Sequence, residues 1–151
     1  MSDLRELYRS LILEHNKRPR NRGPLAGADF TAEGFNPLCG DKVLVHVKFD
    51  LDGRLTHVHF EGHGCAIATA SASMMTESTA GEARATVEAL RHDFLSLMQD
   101  ANPRQELRDV LGELAVFEGV REFPARIKCA TLAWHTIQAA LDGVEGRITT
   151  E

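Results

Sequence analysis

Three cysteines and one aspartate are the side chains of this sequence best suited to metal chemistry. Cys39 and Asp41 lie two residues apart in "NPLCGD", Cys65 follows "GHG", and Cys129 lies in "RIKCATLAW". A thiolate and a carboxylate this close repel each other unless a positive charge lies between them. Zn²⁺ takes both kinds of ligand, and four of them complete a tetrahedral set. These four residues are therefore candidates for one metal centre.

Each cysteine also has a simpler interpretation, since a free cysteine is commonly a small buried hydrophobe. Their number is odd and nothing in the sequence indicates secretion, so a disulfide framework is not expected. Cys129 is predicted to lie off the apolar stripe of its helix, rotated away from Ile127 and Trp134, which argues against a core role. Cys65 is predicted at a helix N-terminus, where backbone N–H groups stabilise a thiolate. Arg126 lies on the same side of the last helix as Cys129 and can reach its sulfur or a partner's charge.

Histidines offer alternative ligands. His46, His57 and His59 share one face of a predicted hairpin and can form a three-imidazole cluster, although a solvated face of a half-exposed sheet is the commoner outcome. His63 lies two residues before Cys65 and is a candidate auxiliary ligand, although the glycines around it also fit a plain loop. The sequence has no Ser–His–Asp arrangement and no phosphate-binding glycine motif, so hydrolase and nucleotide-binding functions have no support.

The predicted hairpin, residues 42–62, is the element that would gather these residues. Its turn is the Asp-Gly-containing segment 50–53. The residues predicted to face the core are Val43, Val45, Val47 and Phe49 on the first strand, and Thr56, Val58, Phe60 and Gly62 on the second. Because the chain enters and leaves the hairpin at one end of the sheet, we expect Cys39, Asp41 and Cys65 to lie close together.

Along the chain, one helix is predicted before the hairpin and four after it. Their ranges are 3–14, 65–78, 86–99, a helix that begins with Asn102 as cap and Pro103 in the first turn, and 125–141. Thr86 is the predicted cap of the third helix. Residues 15–24 are predicted to form a polar loop and residues 118–126 a connector. A single domain, 1–151, is expected, because a chain of this length fits one hydrophobic core.

Charge and hydropathy exclude several classes of protein. The formal net charge of −5, with no large basic patch to offset it, argues against a nucleic-acid-binding protein. No apolar run approaches the length of a membrane span. Asp3, Arg5 and Glu6 interrupt the segment where a signal peptide needs an apolar stretch, so a cytoplasmic location is expected.

The cysteine motifs resemble those of the U-type iron–sulfur assembly proteins, the superfamily of IscU and of the N-terminal part of NifU. "NPLCGD" (36–41), "GHGCAIATASASMMTE" (62–77) and "RIKCATLAW" (126–134) are similar to the three cysteine motifs, and "EHNKRPRNRG" (14–23) to an early loop. Within the superfamily the chain resembles the SufU type, because Lys128 stands where IscU-type scaffolds have a histidine. An extra helical segment at about residues 82–103 also resembles SufU.

The resemblance implies a mixed α/β (α+β) fold, with a small, mainly antiparallel three-stranded sheet and helices packed on one side, as in SufE- and NifU-like proteins. It implies Zn²⁺ bound by Cys39, Asp41, Cys65 and Cys129. It also implies a sulfurtransferase role, in which Cys39 accepts persulfide sulfur from the PLP-dependent cysteine desulfurase SufS once a histidine of that partner has replaced the thiolate on zinc. Arg126 would orient the site or the partner, and downstream iron–sulfur assembly machinery would receive the sulfur.

Two other functions remain open from the sequence. The first is a scaffold on which a [2Fe–2S] cluster is built by the same three cysteines with Asp41. Asp41 fits this function too, whereas Lys128 argues against it. The second is a structural zinc module, whose metal would hold the fold together without stimulating any desulfurase.

Overall fold

The computed structural model describes residues 2–144 and 146–150, without the side chains of residues 2–5 and 7. The helices are α1 (Ser2–Lys17), α2 (Ala66–Thr79), α3 (Arg84–Gln99), α4 (Gln105–Leu111) and α5 (Pro124–Leu141), with a 3₁₀ helix (Gly112–Glu122) between α4 and α5. The strands are β1 (Phe30–Asn36), β2 (Asp41–Phe49), β3 (Leu55–His63) and β4 (Arg147–Thr149). The expected mixed α+β fold is confirmed. The expected domain bounds include residues 1, 145 and 151, which lie outside this description.

The sheet has four strands in the order β3-β2-β1-β4, rather than the three that were expected. β1 and β3 both pair antiparallel to β2, and the short β4 pairs parallel to β1. The hairpin β2–β3 is confirmed, but β1 and β4 were not predicted. The inward positions of β1 are Ala32, Gly34 and Asn36, which give no apolar alternation, and β4 has only three residues. Both strands depend on pairing with distant segments more than on local pattern.

The inner face of the sheet carries the apolar side chains that the alternation predicted, with one exception. Val45 and Val47 have no exposed surface, and Val58 is 1% exposed. Thr56, by contrast, is exposed, and the adjacent Leu55 is the buried residue at the start of β3. The register of β2 and β3 shifts between Lys48 and Phe49, which brings Leu55 opposite Phe49. This irregularity explains why strict alternation fails at that position.

The sequence located most helices but missed several of their ends. Helix α3 begins at Arg84 with Ala83 before it, so Thr86 is not its cap. Helix α4 begins at Gln105, preceded by Arg104, so the predicted start at Asn102 and Pro103 is wrong. Residues 118–122 of the predicted connector belong to the 3₁₀ helix, which buries Val120 in the core. None of the described helices has the length and apolar character that a membrane span requires.

Helix α5 crosses the inner face of the sheet and is the centre of the core. Trp134 stacks on Phe94 of α3 with ring centroids 5.0 Å apart, and Phe94 meets Phe117 of the 3₁₀ helix edge to face at 5.7 Å. On the other side α5 approaches β1 at Gly34, where an added Cβ would lie 2.0 Å from Thr136 Oγ1. This close approach fixes the position of α5, and with it the position of Cys129.

We expect Gly34→Ala to destabilise the protein, because its methyl group overlaps Thr136 of α5 and forces the helix away from the sheet. Overpacking of this kind costs roughly 1–3 kcal/mol of unfolding free energy. Gly119→Ala is the matched control, since an added Cβ there has no neighbour within 4 Å. Chemical denaturation measures both. Equal unfolding free energies for the two variants would contradict this account of α5.

Candidate metal centre

One end of the sheet brings together the two segments that carry Cys39, Asp41 and Cys65. Asn36 at the end of β1 pairs with Asp41 at the start of β2, so residues 37–40 form the turn between them. The Gly40 N–H donates to the Asn36 carbonyl at 2.8 Å and closes this turn. The end of β3 lies beside the start of β2, and Cys65 follows two residues later. The hairpin geometry expected from the sequence is therefore present, with Cys39 exposed in the turn.

The Asp41 side chain is fully buried and is held by two hydrogen bonds. Its Oδ1 accepts from the Cys65 N–H at 2.9 Å, and its Oδ2 accepts from Asn36 Nδ2 at 2.9 Å. Among the described residues, no ammonium or guanidinium group lies within 4.0 Å of this carboxylate. Burying a carboxylate is costly unless an opposite charge accompanies it. The environment of Asp41 therefore favours a cation next to it.

Cys65 caps helix α2, as its predicted place at a helix N-terminus suggested. Its Sγ accepts from the Ala68 N–H at 3.4 Å. The residue before it, Gly64, lies against the Asp41 carboxylate, and a Cβ at Gly64 would be 2.6 Å from Asp41 Oδ1. A residue without a side chain is what allows the chain to bring the Cys65 N–H to that oxygen.

Cys129 lies in the first half of α5 and has no exposed surface. The prediction that it lies off the buried stripe is wrong, because α5 is buried on nearly all sides and the half-buried Ile127 does not mark a single inner face. Burial raises the pKa of the Cys129 thiol far above its ordinary value, and hydrogen bonds with Asp41 and the other two thiols raise it further. A thiolate at this depth therefore requires a cation beside it.

Three of the four candidate ligands meet at one point. The ligand atoms of Cys39, Asp41 and Cys129 all lie within 4.8 Å of one another. Cys65 lies outside that limit, although its thiol is close enough to Cys129 to affect the pKa there. Its sulfur must move closer to become a fourth ligand. Three thiols and one carboxylate fit Zn²⁺, which prefers tetrahedral sulfur, nitrogen and oxygen ligands, and thiolates also hold iron–sulfur clusters.

Arg126 lies beside this centre, as its position three residues before Cys129 suggested. A hydrogen bond with Cys129 and the charge of Cys65 raise the pKa of its guanidinium, which favours the charged form. The side chain is exposed, and it lines a groove of about 750 Å³ together with Cys65 and apolar residues of α1 and the 3₁₀ helix. Leu13 and Phe123 in this groove are 50% and 59% exposed. One side of the centre is thus open and apolar, with a positive charge at its edge.

The hairpin histidines and His63, the alternative ligands that the sequence offered, do not form a metal centre within the described part of the chain. His46 uses Nδ1 to contact Thr31 Oγ1 at 2.8 Å and Nε2 to contact Glu61 Oε2 at 2.6 Å, so neither nitrogen is available as a ligand. His59 faces the Pro24 carbonyl at 3.1 Å instead. His63 is exposed at the end of β3 and does not join the group formed by Cys39, Asp41 and Cys129.

Asn36 is the residue of this site that the sequence did not reveal. Its Nδ2 donates to Asp41 and also lies 3.5 Å from Cys129 Sγ, while its Oδ1 accepts from Thr150 Oγ1 at 2.9 Å. In the sequence it is indistinguishable from a turn residue before Pro37. Only the pairing of β1 with β2, which the sequence did not predict, places Asn36 opposite Asp41, where paired residues at a strand end can exchange side-chain hydrogen bonds.

The fold and the site together define a class of protein, a mixed α+β domain with three thiols and a carboxylate gathered near one end of its sheet. A family model described as "NifU-like N terminal domain" matches residues 7–130. The chain belongs to this family. The match confirms the superfamily that the three cysteine motifs resemble.

Relatives in this family carry two kinds of name. A protein of Streptococcus pyogenes serotype M1 named iron–sulfur cluster assembly scaffold protein IscU is 40% identical over 93% of this chain and 86% of its own. A protein of Bacillus subtilis named zinc-dependent sulfurtransferase SufU is 38% identical over 96% of both chains. The crystal structure of an N-terminal NifU-like protein from Brucella abortus superimposes with a TM-score of 0.81, at 27% identity, over 92% of this chain and 94% of the other.

We expect Gly64→Ala to weaken Zn²⁺ retention, because its methyl group displaces the Asp41 carboxylate and the Cys65 backbone from each other. Zinc content after a timed challenge with a chelator measures the effect. Gly119→Ala is the control, since an added Cβ there has no neighbour within 4 Å. If Gly64→Ala keeps zinc as well as Gly119→Ala, the close contact at Gly64 does not position the carboxylate.

Proposed function

We propose that this protein is a zinc-dependent sulfurtransferase that accepts persulfide sulfur from a cysteine desulfurase of the SufS type for iron–sulfur cluster assembly. The observation that carries the proposal is the difference in exposure among the thiols. Cys39 is exposed, Cys65 is half-buried and Cys129 is fully buried, although all three lie around one carboxylate. One sulfur is thus accessible to a large partner while the other two remain inside. The relative named as a sulfurtransferase supports this function.

The elements that hold the sulfurs favour Cys39 as the acceptor. Cys39 lies in a four-residue turn, whose Gly40 has a φ of +72°. Turns connecting strands move more readily than helices, whose backbone is held by regular hydrogen bonds. Cys65 is fixed at the start of α2 and Cys129 within α5. The Cys39 sulfur is therefore the ligand that can leave the centre at the lowest cost in free energy.

The transfer itself is thiol–disulfide exchange chemistry. The Cys39 thiolate attacks the terminal sulfur of the partner's persulfide. A sulfur–sulfur bond forms at Cys39, the sulfur–sulfur bond of the partner breaks, and the partner's cysteine leaves as a thiolate, so neither an oxidant nor a reductant is consumed. Bound Zn²⁺ would keep the cysteine ligands deprotonated, and Cys39, Asp41, Cys65 and Cys129 are the residues that would hold it. Arg126 is placed to bring positive charge to an anionic persulfide at the open side.

A scaffold for a [2Fe–2S] cluster is the second candidate, and the IscU-named relative supports it. The same thiols would serve as cluster ligands. Lys128, which is exposed directly before Cys129, contributes no ligand where a scaffold of the IscU type has a histidine. Protein purified without oxygen separates the two functions, since a [2Fe–2S] cluster gives a visible absorption spectrum and Zn²⁺ gives none. A purely structural zinc module would retain zinc and leave desulfurase turnover unchanged.

We expect persulfide sulfur to appear first on Cys39. The zinc-loaded protein is incubated with a SufS-type desulfurase and cysteine, trapped with an alkylating reagent, and analysed by peptide mass spectrometry. Cys39→Ser should abolish both the label and the stimulation of desulfurase turnover, because the accessible sulfur is gone. Cys65→Ser and Cys129→Ser should fail mainly by losing zinc and thermal stability. A persulfide on Cys65 or Cys129 with an unmodified Cys39 would overturn the assignment.

We expect Asp41→Ala to weaken Zn²⁺ binding by at least about tenfold, because it removes a ligand and a negative charge from the site. Competition with a chromophoric chelator measures the affinity, and thermal melting with and without chelator measures the linked stability. Asp52→Ala is the matched control, since Asp52 is exposed in the turn between β2 and β3. If Asp41→Ala retains zinc and supports full desulfurase turnover, Asp41 is not a functional ligand.

A further inference from the structure

A second group of ligating side chains lies where α1, α2 and the 3₁₀ helix meet. It consists of His15 on α1, Glu77 on α2 and Glu113 on the 3₁₀ helix, whose ligand atoms all lie within 4.8 Å of one another. It shares no residue with the cysteine centre. An imidazole nitrogen and two carboxylates are a donor set for divalent metal ions.

His15 is a buried histidine with one nitrogen fixed and the other directed at the carboxylates. Its side chain is 2% exposed, and its Nδ1 lies 2.7 Å from Ser73 Oγ. Ser73 Oγ also accepts the Arg20 N–H at 2.9 Å, and its second lone pair can accept the proton of Nδ1. Metal-bound histidines are generally held in this way by their other nitrogen.

The second nitrogen, Nε2, makes no hydrogen bond to any described residue. The nearest carboxylate oxygen that faces it, Glu77 Oε1, is 3.9 Å away, which is beyond hydrogen-bonding distance. Nε2 thus faces Glu77 without bonding to it, and the ligand atom of Glu113 lies within 4.8 Å of those of His15 and Glu77, a spacing that leaves room for an ion. Glu77 and Glu113 are exposed, so their side chains can rotate to close the remaining distance.

The charge around His15 also favours a divalent cation. The charged groups that act on the ring are Arg20, Glu14, Glu77 and Glu113, so three carboxylates face one guanidinium and leave a net charge of −2. Arg20 lies 3.9 Å from both Glu14 and Glu77, at the outer limit of ion pairs, and it is 38% exposed. It therefore neutralises only part of the negative charge.

We propose that His15, Glu77 and Glu113 bind one divalent first-row metal ion, separate from the cysteine centre. One imidazole and two carboxylates suit Mn²⁺, Fe²⁺ or Zn²⁺ better than they suit soft ions, which prefer sulfur ligands. Water completes the coordination. Since the three residues come from three elements, a bound ion joins α1 to α2 and to the 3₁₀ helix. An ion that binds only the native state stabilises it, by an amount that rises with the logarithm of the ion's concentration above Kd.

The test uses Mn²⁺, which has little affinity for thiolates, and the full-length protein with its cysteine centre already loaded with Zn²⁺. The electron paramagnetic resonance signal of free Mn²⁺ reports binding. We expect one Mn²⁺ per chain, no displacement of zinc, and a melting temperature that rises with Mn²⁺. Glu77→Gln and Glu113→Gln should each weaken binding by at least about tenfold and remove the thermal effect.

Glu106→Gln is the matched control, because Glu106 is an exposed glutamate of α4 outside the group. It should bind Mn²⁺ like the unaltered protein. His15→Gln provides a further variant, and its thermal melt in the absence of Mn²⁺ shows whether it has folded. The proposal is overturned if the unaltered protein binds no Mn²⁺. It is also overturned if Glu77→Gln and Glu113→Gln bind the ion as tightly as Glu106→Gln does.

Discussion

The buried carboxylate of Asp41 is the constraint on which the candidate metal centre depends. A carboxylate inside a protein must be hydrogen-bonded and accompanied by a positive charge, or its burial is unfavourable. Asn36 and the Cys65 N–H supply the hydrogen bonds, and they lie on either side of β2 along the chain. Asp41 thereby ties the turn after β1 to the start of α2. Gly64 permits this contact because any side chain there would collide with the carboxylate. The remaining requirement, a positive charge, is the reason that a metal ion fits the centre.

The three thiols reach the centre from structural elements of different rigidity. Cys39 belongs to an exposed turn, Cys65 to the cap of a helix, and Cys129 to the interior of the most deeply buried helix. A sulfur in a turn can be released with a small movement of the chain, whereas moving Cys129 would disturb the packing of α5 against Phe94 and β1. From the first cysteine to the third, exposure therefore decreases, and the chain that carries the sulfur changes from a turn to a helix cap to a helix interior. This order suits a protein that gives up one ligand to a partner and keeps the others, and it is less important for a site that is permanently closed.

The position of Cys129 depends on packing far from the centre. Helix α5 lies on β1 at Gly34 and is fixed laterally by the stacking of Trp134 on Phe94. Helix α2 contributes a further restraint, since Ser71 Oγ donates to the carbonyl of Ala130, the residue next to Cys129. The aromatic and glycine contacts therefore set the distance between a cysteine near the end of the chain and a turn near residue 39. In this way core packing determines the geometry of the site.

The hairpin β2–β3, most of the helices and the four candidate ligands could be predicted from the sequence. Each of these follows from local features, such as the alternation at Val45 and Val47 or the cysteine motifs themselves. Tertiary structure alone decided that β1 and β4 join the sheet and that Asn36 supports Asp41. It also decided that Cys129 is buried, since α5 packs against neighbours on nearly every side and an apolar stripe no longer marks its inner face. The physical reason is that the spacing of apolar residues along a helix or strand indicates only which of its faces is buried and which is exposed to solvent. Burial on several sides, strand pairing and buried hydrogen bonds depend on residues that are distant in the chain and meet only in the folded state.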